Sequence, residues 1–232
     1  MTSVFEVVRR RALPARPRPV GDALTSSNDG SVPRIDTVLR MLVADLQHFM
    51  DLPDDTPGPA RRLAGQLSGI VRAATAGDAS VAWRSALPCR RRPGNRSCPG
   101  RMIVLRPEPP AAIHFRCSTC DDEGVISNWV DSPHDLRRRG LALAGPRTEI
   151  AVTDEVASVL RDLRFLDTDS ERVVFGMRAG GGRIVLAATD DELDELVGLV
   201  AAEANHETNR RRQQRLDAAF DALSDTGPAA GG

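Results

Sequence analysis

Lysine and tyrosine are absent from this 232-residue chain, and aromatic residues of every kind make up only 3% of it. The core must therefore be built from aliphatic side chains and alanine, and so few rings count against a dedicated base-stacking surface. All 31 basic residues are arginine, in a chain also rich in alanine, proline and glycine. That combination is the mark of GC-rich codon usage, so the number of arginines alone is no sign of phosphate binding. An excess of either charge is lacking too. The formal net charge is −1, which excludes a global positive field drawing the chain to nucleic acid or to an anionic membrane.

Long apolar runs are missing as well; none approaches the roughly 18 residues of a membrane span. Near the N-terminus, Val4, Phe5, Val7 and Val8 precede Arg9–Arg11, the reverse of a secretory signal, which puts charge before a longer apolar stretch. A cytoplasmic location with no membrane partner is expected. Only four cysteines occur, and in a reducing compartment a clustered set points to metal and not to disulfides.

Organisation along the chain follows from periodicity. Residues 1–32 carry Pro14, Pro17 and Pro19 with no sustained period and read as a tail. Ile35, Val38, Leu39, Leu42, Leu46 and Phe49 form a helical stripe, and Leu63, Leu67, Ile70, Val71 and Ala74 form a second, with Gly77 as its stop. An N-terminal helical pair over 33–78 is expected. Residues 79–140 hold the cysteines and three strand-like runs, Met102–Leu105, Ile113–Arg116 and Val125–Val130.

A C-terminal α/β segment follows over 146–224. It opens with a strand at Glu149–Val152 and a helix capped by Thr153. A hairpin joins Arg172–Arg178 to Arg183–Ala188 across Gly180–Gly182. Thr189 and Glu192 have the spacing of a capping box for a long terminal helix, broken near Asn205, before a tail at 225–232. The fold class is α+β, with a small antiparallel zinc ribbon between these flanks.

The ribbon expectation rests on Cys89, Cys98, Cys117 and Cys120, spaced Cys-x8-Cys-x18-Cys-x2-Cys. Zinc takes four tetrahedral thiolate or imidazole ligands in structural sites. Cys117-Ser-Thr-Cys120 supplies two from one turn. Cys98 lies just before the first predicted strand and Cys117 just after the second. Antiparallel pairing would bring both cysteine turns to one end, as a shared metal requires. Gly100 and Gly124 each follow a turn where tight backbone is expected. The eight residues between Cys89 and Cys98 exceed the usual two to four and would make the first knuckle a loop. One structural Zn2+ per chain is predicted. A redox Cys117/Cys120 pair is the competing reading, although no thioredoxin-like βαβ context surrounds it. His114 and His134 are substitute ligands only if a cysteine fails.

Cys98-Pro-Gly, then Cys117-x2-Cys120-Asp-Asp-Glu-Gly124-Val-Ile-Ser-Asn-Trp129, then Ser-Pro-His-Asp-Leu136 resembles a group of bacterial zinc-ribbon proteins with no assigned function. The resemblance covers about residues 85–140 and implies a fold, not an activity. In that pattern an aromatic residue stands at the position of His134, which argues against His134 as a ligand.

Function is expected to be binding without catalysis. A catalytic zinc keeps an open position, and four cysteines leave none. The deaminase signature His-x-Glu with Pro-Cys-x2-Cys is not present. Gly180–Gly182 lacks the lysine and helix start of a phosphate loop. Arg90, Arg91, Arg92, Arg96, Arg101 and Arg106 cluster on or beside the first knuckle. They are candidate nucleic-acid contacts, with Trp129 or Phe115 as stacking faces; equally, they balance the −2 charge of a zinc tetrathiolate. Arg137–Arg139 would extend the patch, and Asp121–Glu123 would oppose it. A protein adaptor or a homo-oligomer, docking through the amphipathic helices, is the other binding mode.

Overall fold

A computed structural model describes residues 41–108, 111–137 and 146–225. The described residues form a mixed α and β structure with eight strands in one sheet, ordered β1-β5-β4-β3-β2-β7-β8-β6. The strands are β1 (Met41–Asp45), β2 (Trp83–Pro88), β3 (Arg101–Leu105), β4 (Ile113–Cys117), β5 (Glu123–Ser127), β6 (Thr148–Val152), β7 (Arg178–Gly180) and β8 (Arg183–Ala188). The helices are α1 (Gly58–Ala76), α2 (Asp154–Arg161), α3 (Thr168–Phe175), α4 (Asp190–His206) and α5 (Arg210–Ser224). None of them is long and apolar enough to cross a membrane.

The β3–β4 hairpin falls where the alternation of apolar residues places it, whereas β5 (Glu123–Ser127) starts and ends earlier than the predicted run Val125–Val130 and shares only residues 125–127 with it. Met102 and Val104 on β3, and Ile113, Phe115 and Cys117 on β4, are buried while their neighbours are not. That period of two gives the hairpin one core face. Helix α1 covers it with Leu67, Ile70, Val71 and Ala74, the stripe expected from spacing. Arg106 closes the end of α1 by donating from Nε to Ala74 O at 3.2 Å and from Nη2 to Gly77 O at 3.0 Å. It thereby satisfies carbonyls left without helical partners.

The first predicted helix is not formed over its described part. Residues 35–40 lie outside the described set, and residues 41–49 form β1 followed by a short 3-10 turn, Leu46–Phe49. The reason is tertiary: β1 runs parallel to β5, from Met41↔Glu123 to Asp45↔Ser127. A neighbouring strand edge satisfies the backbone of Met-Leu-Val-Ala-Asp as well as a helix would. Asp45 then starts the 3-10 turn by accepting from Gln47 N at 3.0 Å.

One more correction concerns the C-terminal segment. The long strand expected over Arg172–Arg178 is mostly helix α3, and only Arg178–Gly180 pairs with β8. Asp167 caps that helix, its carboxylate accepting from Asp169 N at 2.8 Å and Ser170 N at 3.0 Å. The start signal therefore lies five residues upstream of the predicted strand. The terminal helix breaks near Asn205 as expected: α4 ends at His206 and α5 begins at Arg210, capped by Asn209. Thr153 and the Thr189/Glu192 capping box stand as expected.

Strand β2 was not among the predicted strands, and it connects the two halves of the molecule. It pairs with β3 on one side and with β7 at Ser85↔Arg178 on the other, where Ala86 N donates to Met177 O at 2.9 Å. One hydrophobic cluster consequently runs from Ala44 through Met102 and Phe115 to Leu196 and Leu223. The cysteine region and the C-terminal segment share this core.

Candidate metal centre

Cys89, Cys98, Cys117 and Cys120 converge, their sulfur atoms all lying within 4.8 Å of one another. The hairpin register does this: Met102 sits opposite Cys117, so the chain before β3 meets the chain after β4. Cys98 Sγ is 3.7 Å from Cys117 Sγ, and Cys89 Sγ is 3.6 Å from Cys120 Sγ. Four thiolates around one zinc, at about 2.3 Å each, stand about 3.8 Å apart in a tetrahedron. The donor set therefore fits a single tetrahedral ion. Neither His114 nor His134 belongs to the cluster.

The long first spacing turns out to be a short one with a side loop. Cys98 N donates to Arg91 O at 3.0 Å, pinching off residues 92–97. Once that loop is set aside, Cys89-Arg90-Arg91 abuts Cys98 as the members of a Cys-x2-Cys turn do. The loop is closed by a 3-10 turn, Pro93–Asn95, in which Gly94 and Asn95 take left-handed φ values of 59° and 64°.

Backbone amides point at the sulfurs on both sides. Arg91 N donates to Cys89 Sγ and Gly100 N to Cys98 Sγ, each at 3.4 Å. Across the centre, Thr119 N and Cys120 N donate to Cys117 Sγ at 3.3 and 3.5 Å. Such donors stabilise thiolate over thiol. Burial pushes Cys117 up, but the Cys120 and Thr119 amides together with the Cys89 and Cys120 side chains outweigh it, and this thiol falls below its ordinary value. Burial pushes Cys89 and Cys120 upward. Buried thiols drawn together in this way need a cation to hold them all as thiolates.

Gly100 is required by close approach. A Cβ there would lie against Cys117 Sγ and 2.9 Å from Thr119 Oγ1. Gly100→Ala is expected to weaken metal binding about 10–100-fold, as changes beside metal ligands do. Competition with a chromogenic chelator measures this, and unchanged affinity would contradict the packing argument.

Asp122 is the residue that sequence reasoning did not single out. Grouped in a run of three acids, it looks like surface charge; in the structure it is 2% exposed. Its carboxylate lies 3.1 Å from Arg90 Nη2 and 3.4 Å from Arg91 Nε, and the Cys89 thiol points at it from 3.8 Å. Its carbonyl accepts from Cys117 N at 2.7 Å. No sequence pattern separates it from Asp121 and Glu123 except its position two residues past Cys120.

The candidate nucleic-acid contacts divide. Arg90 and Arg91 are paired with Asp122. Arg101 is half-buried, donates to Ala86 O at 2.8 Å and pairs with Asp154. Arg92 and Arg96 stand exposed on the side loop. Arg137 stacks on Trp129, 4.8 Å from the ring centroid, and pairs with Asp135; Arg138 and Arg139 lie outside the described residues. The predicted stacking faces are not available, because Trp129 is 1% exposed and Phe115 4%.

His134 is held away from the sulfurs, beside α1, where its carbonyl accepts from Thr75 Oγ1 at 3.3 Å. Burial, with Arg72 close by, lowers its pKa to about 4. His114 is exposed on β4, on the face of the sheet opposite α1.

Fold and site together define a mixed α and β protein with a four-cysteine centre at one end of its sheet. Compared with protein-family models, with curated proteins and with solved structures, the chain matches none of them.

Proposed function

We propose that this chain is a zinc-ribbon protein that binds one structural zinc through Cys89, Cys98, Cys117 and Cys120 and acts by binding, not by catalysis. The observation that carries the reading is the set of four converging sulfurs, three of them buried, with amide donors aimed at Cys89, Cys98 and Cys117. Four protein ligands complete the tetrahedral shell of zinc and leave no position for substrate.

The arginines support a structural role for the centre. A zinc tetrathiolate carries −2, and buried Asp122 adds another negative charge. Arg90 and Arg91 lie where they offset it. Two of the six candidates for phosphate contact are thus engaged beside the centre, Arg101 is engaged with β2 and α2, and Arg106 with the end of α1.

Cobalt(II) substitution tests the closed shell. The cobalt form should show intense sulfur-to-metal charge-transfer bands and the visible bands of a tetrahedral ion. Adding azide or imidazole should leave them unchanged. A spectrum that shifts with added ligand would mean an open coordination position, and the structural reading would fail.

A further inference from the structure

The four sulfurs are not equally protected. Cys89, Cys98 and Cys117 are buried, and Cys120 alone is half-exposed. Across the centre it faces Cys89, whose sulfur lies 3.6 Å away on the other knuckle. Cys98 and Cys117 make the corresponding pair at 3.7 Å, but both are buried. A metal centre keeps its cysteines as thiolates, the form that reacts with oxidants. Access then decides which one reacts first.

We infer that Cys120 is a peroxide-reactive site and that Cys89 resolves it, so that the centre is released by formation of a Cys89–Cys120 disulfide. The inference rests on the metal-centre reading and adds a regulation to it. Cys120 sulfur attacks one oxygen of hydrogen peroxide; the O–O bond breaks, hydroxide leaves, and Cys120 becomes a sulfenic acid. Cys89 thiolate then attacks the Cys120 sulfur; the S–S bond forms, the S–O bond breaks, and a second hydroxide leaves. Two electrons pass from the two sulfurs to peroxide, and two protons from solvent convert both hydroxides to water.

The product joins the chain just after β2 to the turn between β4 and β5. Two of four ligands are lost, which a tetrahedral site does not survive. Asp122 and its two arginines sit directly beside Cys89. Loss of the centre therefore frees Arg90 and Arg91 from their present arrangement, and the knuckle carrying them loosens with it.

The experiment treats the purified, zinc-loaded protein with hydrogen peroxide. Zinc release is followed with a chromogenic chelator, and disulfides are mapped by peptide mass spectrometry at intervals. The expected result is a Cys89–Cys120 disulfide appearing first, in step with zinc release and reversed by dithiothreitol. Cys120→His retains a ligand atom but not the attacking sulfur, and should slow release about tenfold or more. Should that variant fail to hold zinc, the order of disulfides in the unaltered protein still decides the matter. Cys98–Cys117 forming first, or zinc leaving with sulfinic and sulfonic acids and no disulfide, overturns the inference. Metal analysis before peroxide is added separates the two readings. A metal-free protein that still forms Cys89–Cys120 first sinks the zinc centre and leaves the reactive pair standing.

Discussion

Cys117→Ser is expected to take the metal content from one per chain to almost none. A serine hydroxyl stays protonated at neutral pH and is a poor zinc ligand, so one corner of the tetrahedron is lost. Cys117 is also the sulfur that accepts two amides, from Thr119 and Cys120, and it ends the strand paired with β3 at Met102. Structural zinc contributes about 10–16 kcal/mol to the folding of isolated zinc-finger peptides. The loss here is expected to be smaller and local, because most of the hydrophobic cluster from Ala44 to Leu223 is made by residues other than the four cysteines. Hydrogen exchange should quicken in residues 89–100 and 117–122 and stay slow in α1 and in β6–β8. A variant that retains full zinc, or one that unfolds throughout, would contradict this picture.

Trp129→Ala should be the most damaging change away from the cysteines, costing about 3–5 kcal/mol. The indole is 1% exposed, in the core beside β5. Its Nε1 donates to Ala111 O at 3.1 Å, and Arg137 lies over its ring. Removing the side chain opens a cavity, unpairs a carbonyl and leaves Arg137 without its aromatic surface. Trp129→Phe keeps most of the packing and should lose only about 1 kcal/mol for the hydrogen bond. Urea unfolding followed by far-ultraviolet circular dichroism distinguishes the two, since it does not rely on the altered residue as its probe. Equal losses for both variants would mean that the hydrogen bond, not the volume, holds this region.

These two residues also mark what was legible in the sequence. The β3–β4 hairpin, the α1 stripe and the caps at Thr153 and Thr189 are local patterns, and each appears where its spacing put it. Strand β1 was misread because its apolar spacing suits a helix, while the decisive contact is with β5, about 80 residues later. Helix α3 was misread because Val173, Val174 and Phe175 look like a strand when the Asp167 cap is overlooked. The single sheet was illegible, for it depends on β2, whose few residues between a helix and a cysteine carry no clear alternation.

At the site, the four cysteines were evident from count and spacing. The wide first spacing concealed a tight knuckle, because the hydrogen bond between Cys98 N and Arg91 O is not a sequence feature. Charge was the least legible property. Among the arginines and acids that read as two opposed surface patches, the exposed Arg90 and Arg91 instead converge on the buried carboxylate of Asp122. The aromatic residues proposed for stacking are core residues. Both errors have one cause: a run of like residues does not reveal which member the fold turns inward.

The central claim is that one zinc ion occupies the four cysteines. Native mass spectrometry of the protein purified from cells, with elemental analysis of the same sample, tests it most directly. The account predicts one zinc per chain, bound in the fully reduced protein and lost from Cys117→Ser. A metal-free mass with four intact thiols would contradict it.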